Sequence, residues 1–235
     1  MSTSSLSDPV QQLPNEADLE GVFGAYGPKP TWRGRIHQVA FFATLPAGWY
    51  LLAHAETTAA RVAVAVYWAS LAGMFGASAS YHLLSRSPNA VKWLRRLDHS
   101  MIFVLIAGTY TPLCVVVLPR AWGIPILVAA WVTALAGIVM KMIRLSTWGG
   151  RSGSWLYLVL GWGGILMLPK LLTGLSAGGL ALLTIGGVLF TVGAVILGKQ
   201  RPNPLPAVFG YHEVWHAITV VAVACHFVLV AKVTG

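Results

Sequence analysis

Two histidines near the C-terminus have the spacing of a metal-binding pair. His212 and His216 are four residues apart, so on a helix both imidazoles lie on one face, with Cβ atoms about 6 Å apart. Such a pair can bind Zn²⁺, and His82, from a distant segment, would supply a third nitrogen. Three protein ligands that leave the fourth position to water are typical of catalytic rather than structural zinc. The pattern therefore predicts a Zn²⁺ site formed by His82, His212 and His216.

Two further polar residues are spaced to act at this site. Ser78 lies one helical turn before His82 on the same face, and Asp98 begins the next apolar segment. Zinc makes a coordinated water nucleophilic at neutral pH. We expect Asp98 to accept its proton or to orient a histidine, and Ser78 to orient the water or a substrate. The alternative roles are structural: Ser78 would bond the i−4 carbonyl, and Asp98 would cap a helix or pair with Arg95 or Arg96.

The remaining histidines are expected to lie outside this site. His37, His54 and His99 fall near proposed membrane interfaces, where a solvated imidazole needs no special role. His226 is ten residues beyond His216, about 15 Å deeper at 1.5 Å per helical residue. That distance is too great for the same site.

One local pattern favours a different class of enzyme. His212-Glu-Val-Trp-His216 matches H-E-x-x-H, in which two histidines bind zinc and the glutamate is the general base of peptide hydrolysis. A protease would also need a third ligand, commonly a carboxylate. Asp98 is the only other carboxylate in the apolar segments, since Glu56 falls in a connector. An intramembrane metalloprotease is therefore the less favoured alternative, and in the preferred interpretation Glu213 is an interfacial residue off the ligand face.

The composition places these residues in a membrane protein. Of 235 residues, 56% are apolar and only 10% are charged, and the mean hydropathy is +0.70. A soluble domain has about 25% charged residues. A spanning helix needs about 20 mostly apolar residues, and seven segments qualify, which predicts an all-α integral membrane bundle of seven transmembrane helices. The segments are 37–55, 61–84, 98–118, 121–141, 154–173, 176–198 and 209–233.

The Lys and Arg residues orient the predicted bundle. Twelve fall on the side of the N-terminus and four on the opposite side. The larger group comprises Lys29, Arg33 and Arg35 before the first segment, and Arg86, Lys92, Arg95, Arg96, Lys141, Arg144, Arg151, Lys199 and Arg201 in later connectors. The smaller group comprises Arg61, Arg120, Lys170 and Lys232. Because basic connectors remain in the cytoplasm, the N-terminus is predicted to be cytoplasmic and the C-terminus outside. The candidate site then lies at the cytoplasmic end of three helices.

The other sequence features exclude several classes of protein. The net charge of +9 does not indicate nucleic-acid binding, because the basic residues are scattered between apolar runs. Cys114 and Cys225 lie within apolar runs and do not suggest a secreted disulfide framework. Residues 1–30 are polar and lack the apolar segment of a signal peptide. We therefore predict a polar cytoplasmic tail over 1–36 and one transmembrane domain over 37–235.

Several motifs together resemble the haemolysin III family, which is grouped with the progestin and adipoQ receptors and, more distantly, with alkaline ceramidases. The motifs are Ser78-Ala-Ser-Tyr-His82, Leu97-Asp98-His99-Ser100-Met101-Ile102, Ala107-Gly-Thr-Tyr-Thr-Pro112, His212-Glu-Val-Trp-His216 and His226-Phe227. The resemblance runs from about Arg33 to the C-terminus. It implies a seven-helix membrane fold, a zinc held by His82, His212 and His216, and Ser78 and Asp98 at the matching positions of the site. For the wider superfamily it implies hydrolysis of lipid amides such as ceramide.

The leading hypothesis is a Zn²⁺-dependent hydrolase of a lipid-like amide or ester, with membrane lipids as partners and a substrate that enters between helices. The alternatives are a non-enzymatic sensor or regulator of membrane state with a structural zinc, and the cytolysis that the family name suggests. The Arg33-Gly-Arg-Ile-His37 stretch resembles bacterial members, so the expected location is a bacterial plasma membrane.

Overall fold

The computed structural model describes residues 29–144 and 155–235. Within these ranges the chain is helical, apart from short connectors and an isolated antiparallel bridge between Leu205 and Phe209. The α-helices are α1 (Arg35–His54), α2 (Thr58–Leu84), α3 (Pro88–Pro112), α4 (Arg120–Arg144), α5 (Trp155–Trp162), α6 (Leu168–Gly174), α7 (Ala177–Lys199) and α8 (Tyr211–Thr234). A π-helical turn, Leu113–Val117, continues α3, and a 3₁₀ helix, Gly163–Met167, joins α5 to α6. The described ranges therefore contain seven long helical segments.

Side-chain caps define where several of these helices begin. The Thr57 hydroxyl accepts a hydrogen bond from the Ala60 N–H at the start of α2. The Ser87 hydroxyl caps α3 in the same way, and Pro88 occupies the first turn of that helix. The Ser176 hydroxyl caps α7. Each hydroxyl satisfies one of the backbone donors that a helix N-terminus leaves without an internal partner.

The cap at Ser87 corrects the predicted start of the third helix. The hydrophobic segment begins at residue 98, but the helix begins ten residues earlier because Ser87 and Pro88 form a start signal in a polar stretch. Lys92, Arg95 and Arg96, predicted in a connector, therefore lie on α3. Asp98 lies about three turns into the helix, which excludes the capping role.

The basic connector predicted after the fourth segment also needs correction. Lys141 lies within α4, and its side chain is 1% exposed. Its ammonium group lies 5.3 Å from the centre of the Tyr157 ring, a contact that offsets part of the cost of burying a cation. Arg151 and the tail residues 1–28 lie outside the described residues.

Six of the seven helical segments are long and apolar enough to cross a membrane. They are Thr58–Leu84, Pro88–Val117, Arg120–Ile143, Leu156–Gly174, Ala177–Lys199 and Tyr211–Thr234. The segment that does not qualify is α1, which carries Arg35, His37 and Gln38 in its first two turns. Large apolar side chains such as Val132 and Leu135 on α4 are exposed, as expected where a helix faces lipid rather than water. The structure confirms an all-helical bundle suited to a membrane.

The helices pack mainly against their neighbours in sequence, and α1 also meets α8. One apolar core lies around Phe103 and Tyr110 of α3 and extends to Met167. A second core lies around Tyr67 and Phe75 of α2 and joins α1 to α8. The contact between α1 and α8 brings the two ends of the described chain together, and this arrangement places the candidate site among α1, α2, α3 and α8.

The close approach of α2 and α3 depends on a glycine. A Cβ atom at Gly108 would lie 2.6 Å from the Ser70 Cβ and 2.2 Å from its Oγ. Such overpacking costs about 1–3 kcal/mol. We therefore expect Gly108→Ala to lower the thermal unfolding temperature of the purified protein.

Gly187→Ala is the matched control, because a Cβ there meets no atom of the described structure within 4 Å. We expect it to be neutral or slightly stabilising, since alanine is the better helix former. Equal unfolding temperatures for the two variants would contradict the close packing of α2 against α3.

Candidate metal centre

Three histidines converge at the end of the bundle where α2 ends and α8 begins. His82 lies in the last turn of α2, and His212 and His216 lie in the first two turns of α8. One ligand nitrogen from each residue lies within 4.8 Å of the other two. His82 and His216 are buried and His212 is partly buried. The sequence prediction that these three imidazoles lie together therefore agrees with the geometry.

Two of the three nitrogens have the spacing of ligands on a tetrahedral cation, within a cluster that extends to 4.8 Å. Two ligands at about 2.0–2.1 Å from one Zn²⁺, at the tetrahedral angle, lie about 3.3–3.4 Å apart. The distance from His82 Nε2 to His212 Nε2 is 3.2 Å. The buried His216 Nδ1 has no hydrogen-bond partner within the described part of the chain, an arrangement that is costly without a ligand or water. The three histidines can thus hold a transition-metal ion, and imidazole suits several such ions besides zinc.

Ser78 and Asp98 lie beside this cluster and interact with each other. The Ser78 hydroxyl is buried, is hydrogen-bonded to the Asp98 carboxylate and lies 2.8 Å from His37 Nδ1. These side-chain partners replace the i−4 carbonyl that was the alternative for Ser78. Of the two arginines considered for Asp98, Arg95 is the one whose charge acts on the carboxylate, whereas Arg96 lies over the Trp93 ring.

His37 belongs to the site, contrary to the prediction of a solvated interfacial residue. Its ring is 2% exposed and stacks on His216, with a centroid separation of 3.7 Å and an interplanar angle of 15°. A signal for this position was available in the sequence. His37, Ala40, Thr44, Gly48 and Leu51 follow a helical spacing of three or four residues, and all five are buried in α1. That spacing puts His37 on the face toward the bundle.

Glu213 is also buried rather than interfacial. Its side chain is 0% exposed, its Oε1 accepts a hydrogen bond from Arg33 Nε at 2.5 Å, and its Oε2 accepts one from the Gly210 N–H at 2.8 Å. A buried carboxylate requires such partners. Arg33 and the start of α8 therefore hold the Glu213 carboxylate, and these contacts favour a structural role for it over that of the general base of an H-E-x-x-H protease.

The chain just before α1 crosses over the histidines. The Thr31 and Trp32 N–H groups donate to the carbonyls of Ala207 and Val208, at 3.2 and 3.1 Å. Lys29 Nζ lies 3.5 Å from the His82 carbonyl oxygen, and burial, followed by the charge of Arg33, lowers the pKa of Lys29. Residues 29–34, called the N-terminal cover below, thus overlie the exposed end of the site.

Gly34 allows the N-terminal cover to lie this close. Its φ of +80° is in the left-handed region, which favours glycine. A Cβ at Gly34 would also lie 2.6 Å from the His82 Cβ. The backbone therefore passes directly against the ligand-bearing turn of α2.

Two of the other histidines, His54 and His226, lie apart from the cluster, whereas His99 lies next to Asp98, with Nδ1 3.8 Å from its Oδ2. His54 is exposed at the end of α1, as predicted. His99 is partly buried, with Nδ1 2.8 Å from the Arg95 carbonyl oxygen. His226 is buried against α7, with Nε2 3.3 Å from the Leu183 carbonyl oxygen, in agreement with its predicted separation from the site.

Together, these features define a multi-pass helical membrane protein with a buried three-histidine cluster at one end of its bundle. The chain belongs to the haemolysin III family: the Haemolysin-III related family matches residues 26–227. This match confirms the resemblance that the motifs indicated, and it spans every candidate site residue named above.

Two curated relatives are similar over most of their length. The chain is 32% identical to Hemolysin-3 of Bacillus cereus over 183 residues, which cover 77% of this chain and 80% of that protein. It is 30% identical to a Hemolysin-3 homolog of Bacillus subtilis (strain 168) over 195 residues, which cover 81% of this chain and 87% of that protein.

The Arg33–Glu213 pair gives a testable stability difference. Removal of one partner of a buried ion pair costs about 3–5 kcal/mol because the other charge stays buried. The Arg33 side chain is 15% exposed, so we expect Arg33→Ala to lower the free energy of unfolding by about 3 kcal/mol, the lower end of that range. Chemical denaturation of the purified protein measures this change.

Arg35→Ala is the control, because Arg35 is exposed and bonds only the neighbouring side chain of Gln38 among the contacts described. Its effect should stay within about 0.5 kcal/mol. An Arg33→Ala protein as stable as Arg35→Ala would show that Glu213 does not depend on this partner.

Proposed function

We propose that the protein is a zinc-dependent membrane hydrolase that acts on an amide or ester bond of a lipid-like substrate. The observation that most supports this proposal is the convergence of the imidazoles of His82, His212 and His216 within 4.8 Å, next to a buried serine that is hydrogen-bonded to a carboxylate. Three histidine ligands and an open fourth position are the composition of a hydrolytic zinc centre.

The residues of the site divide the chemistry between them. Zinc, when bound by the three histidines, supplies a Lewis acid that polarises the substrate carbonyl and activates water. Asp98 accepts the proton of the attacking water and returns it to the leaving nitrogen or oxygen as the C–N or C–O bond breaks. Ser78, whose single hydroxyl proton is donated to the Asp98 carboxylate, holds that carboxylate in position to orient the attacking water.

The surroundings of the site favour a substrate that arrives from the bilayer. The N-terminal cover lies over the end of the bundle, with Lys29 at the His82 carbonyl and Gly34 against the His82 side chain. The helices below present apolar side chains outward. A lipid that enters between helices therefore reaches the histidines without displacing this cover.

The proposed topology has seven crossings, with α1 as the first, the N-terminus in the cytoplasm and the C-terminus outside. Support comes from the 20-residue length of α1 and from the excess of Lys and Arg on the N-terminal side. The proposed location is a bacterial plasma membrane. A reporter enzyme that is active only outside the cytoplasm, fused after Gly235, tests the orientation: we expect an active fusion, and an inactive fusion would overturn it.

A structural zinc in a sensor or regulator of membrane state is the second candidate. It is favoured by the way in which the cluster joins α1, α2 and α8 through His37, His82 and His216. In that case metal removal would lower the thermal unfolding temperature, and no lipid would be hydrolysed.

The names of the two Bacillus relatives suggest lysis as a further activity, which release of a dye from vesicles would reveal.

Metal content is the first test of the proposal. We expect purified wild-type protein to contain about one zinc per chain, and His212→Ala to lose most of it because two imidazoles bind the ion far more weakly than three. Elemental analysis measures both. His54→Ala, which changes an exposed histidine, is the control and should keep its zinc. Equal zinc in wild type and His212→Ala would exclude the proposed ligand set.

Turnover of lipids is the second test. With a panel of lipid amides and esters, we expect zinc-dependent product from the wild type and a fall of about 10²–10⁴-fold in kcat for Asp98→Ala, the usual contribution of a general base. Full activity of folded Asp98→Ala protein would remove the base that we assign.

The Glu213→Gln variant distinguishes the proposed lipid hydrolase activity from a protease activity. Because Arg33 and Gly210 hold the Glu213 carboxylate, the amide variant should keep most of its activity per folded molecule toward lipids. Loss of peptide hydrolysis in the same variant, with no lipid turnover in the wild type, would favour the protease.

A further inference from the structure

His37 makes two separate contacts within the candidate metal centre although it is not one of the three converging ligands. Its ring lies face to face with the His216 ring at 3.7 Å. Its Nδ1 lies 2.8 Å from the Ser78 Oγ. One side chain of α1 therefore touches both a candidate ligand on α8 and a candidate site residue on α2.

The stacking contact fixes the orientation of a candidate ligand. The His216 ring has His37 on one face at an interplanar angle of 15°. On its other sides it meets His82 and His212, whose centroids lie 5.1 and 4.6 Å away. The parallel ring restricts rotation of His216 about its last side-chain bond. Residues that orient metal ligands from outside typically contribute 10–100-fold to metal affinity or activity.

The hydrogen bond between His37 and Ser78 restricts the rotation of the Ser78 hydroxyl. A serine hydroxyl on a helix rotates freely unless partners hold it, and here the partners are His37 and Asp98. Phe75 packs edge-on against the His37 ring at 5.1 Å, so the imidazole itself is held in place. His37, Ser78 and Asp98 thus form a continuous polar chain from α1 through α2 to α3.

We propose that His37 is a positioning residue of the metal centre, which holds His216 by stacking and Ser78 by hydrogen bonding. This inference rests on the metal binding in the proposed function and does not require that the protein be a hydrolase. It assigns a role in the site to α1, which carries none of the three candidate ligands.

Two substitutions at His37 test separately its stacking on His216 and its hydrogen bond to Ser78. His37→Phe keeps a flat ring against His216 and loses the hydrogen bond to Ser78. His37→Asn keeps a polar group toward Ser78 and loses the ring. His54→Phe is the matched control, because it makes the same replacement at an exposed histidine of the same helix.

The first measurement is the Zn²⁺ affinity of the full chain in detergent, by competition with a chromophoric chelator. We expect His37→Asn to weaken affinity by about 10–100-fold, and His37→Phe and His54→Phe to stay near the wild type. After loading with Co²⁺, only the His37→Asn protein should have a visible absorption spectrum that differs from that of the wild type. Wild-type affinity and spectrum in His37→Asn would overturn the stacking role. If that variant does not fold, His37→Leu, which also lacks a flat ring, replaces it.

The second measurement is a double-mutant cycle between His37→Phe and Ser78→Ala, read as thermal unfolding of the metal-free protein. We expect Ser78→Ala to lower the unfolding temperature less in the His37→Phe background than in the wild type, because the shared contact is already lost. Additive shifts would overturn the hydrogen-bonding role. A wild-type protein that binds no Zn²⁺ would instead remove the proposed metal function and the stacking role with it, while the cycle would still report on the His37–Ser78 contact.

Discussion

The structure is organised by the need to satisfy polar side chains that are buried within the helical bundle. Ionisable residues in a membrane helix are costly unless they meet one another, and here four helices contribute to one group. His37, His82, His216 and Ser78 are all buried, and each touches at least one other member of the group. A cation bound by three of the imidazoles would satisfy nitrogen atoms of this buried group.

The packing of the bundle also follows from the need to bring these buried polar side chains together. Ligands on α2 and α8 come together only if helices from distant parts of the sequence meet at one end, and the contact of α1 with α8 and with α2 provides this closure. The Arg33–Glu213 pair then joins the chain before α1 to the start of α8. Glu213 therefore holds the histidine-bearing helix in position through Arg33 and Gly210.

The sequence was sufficient to predict the helices and the convergence of the three histidines, and insufficient to predict the neighbours of those histidines. Hydropathy located all seven helical segments, and the i, i+4 spacing of His212 and His216 identified their shared face. The start of α3 was wrong because hydropathy does not detect a polar N-terminal extension that Ser87 caps. His37 and the Arg33–Glu213 pair were missed because their partners are about 180 residues away in sequence, and only the folded chain shows such contacts. The recurrence of buried positions every three or four residues along α1 was the local signal that His37 faces the bundle.

X-ray absorption at the zinc edge of the purified protein shows whether His82, His212 and His216 bind one ion together. We expect three imidazole nitrogens at about 2.0–2.1 Å and one further light-atom ligand, with the multiple-scattering pattern of histidine. A zinc spectrum without histidine scattering, or one that keeps three imidazoles after His82→Ala, would contradict this expectation.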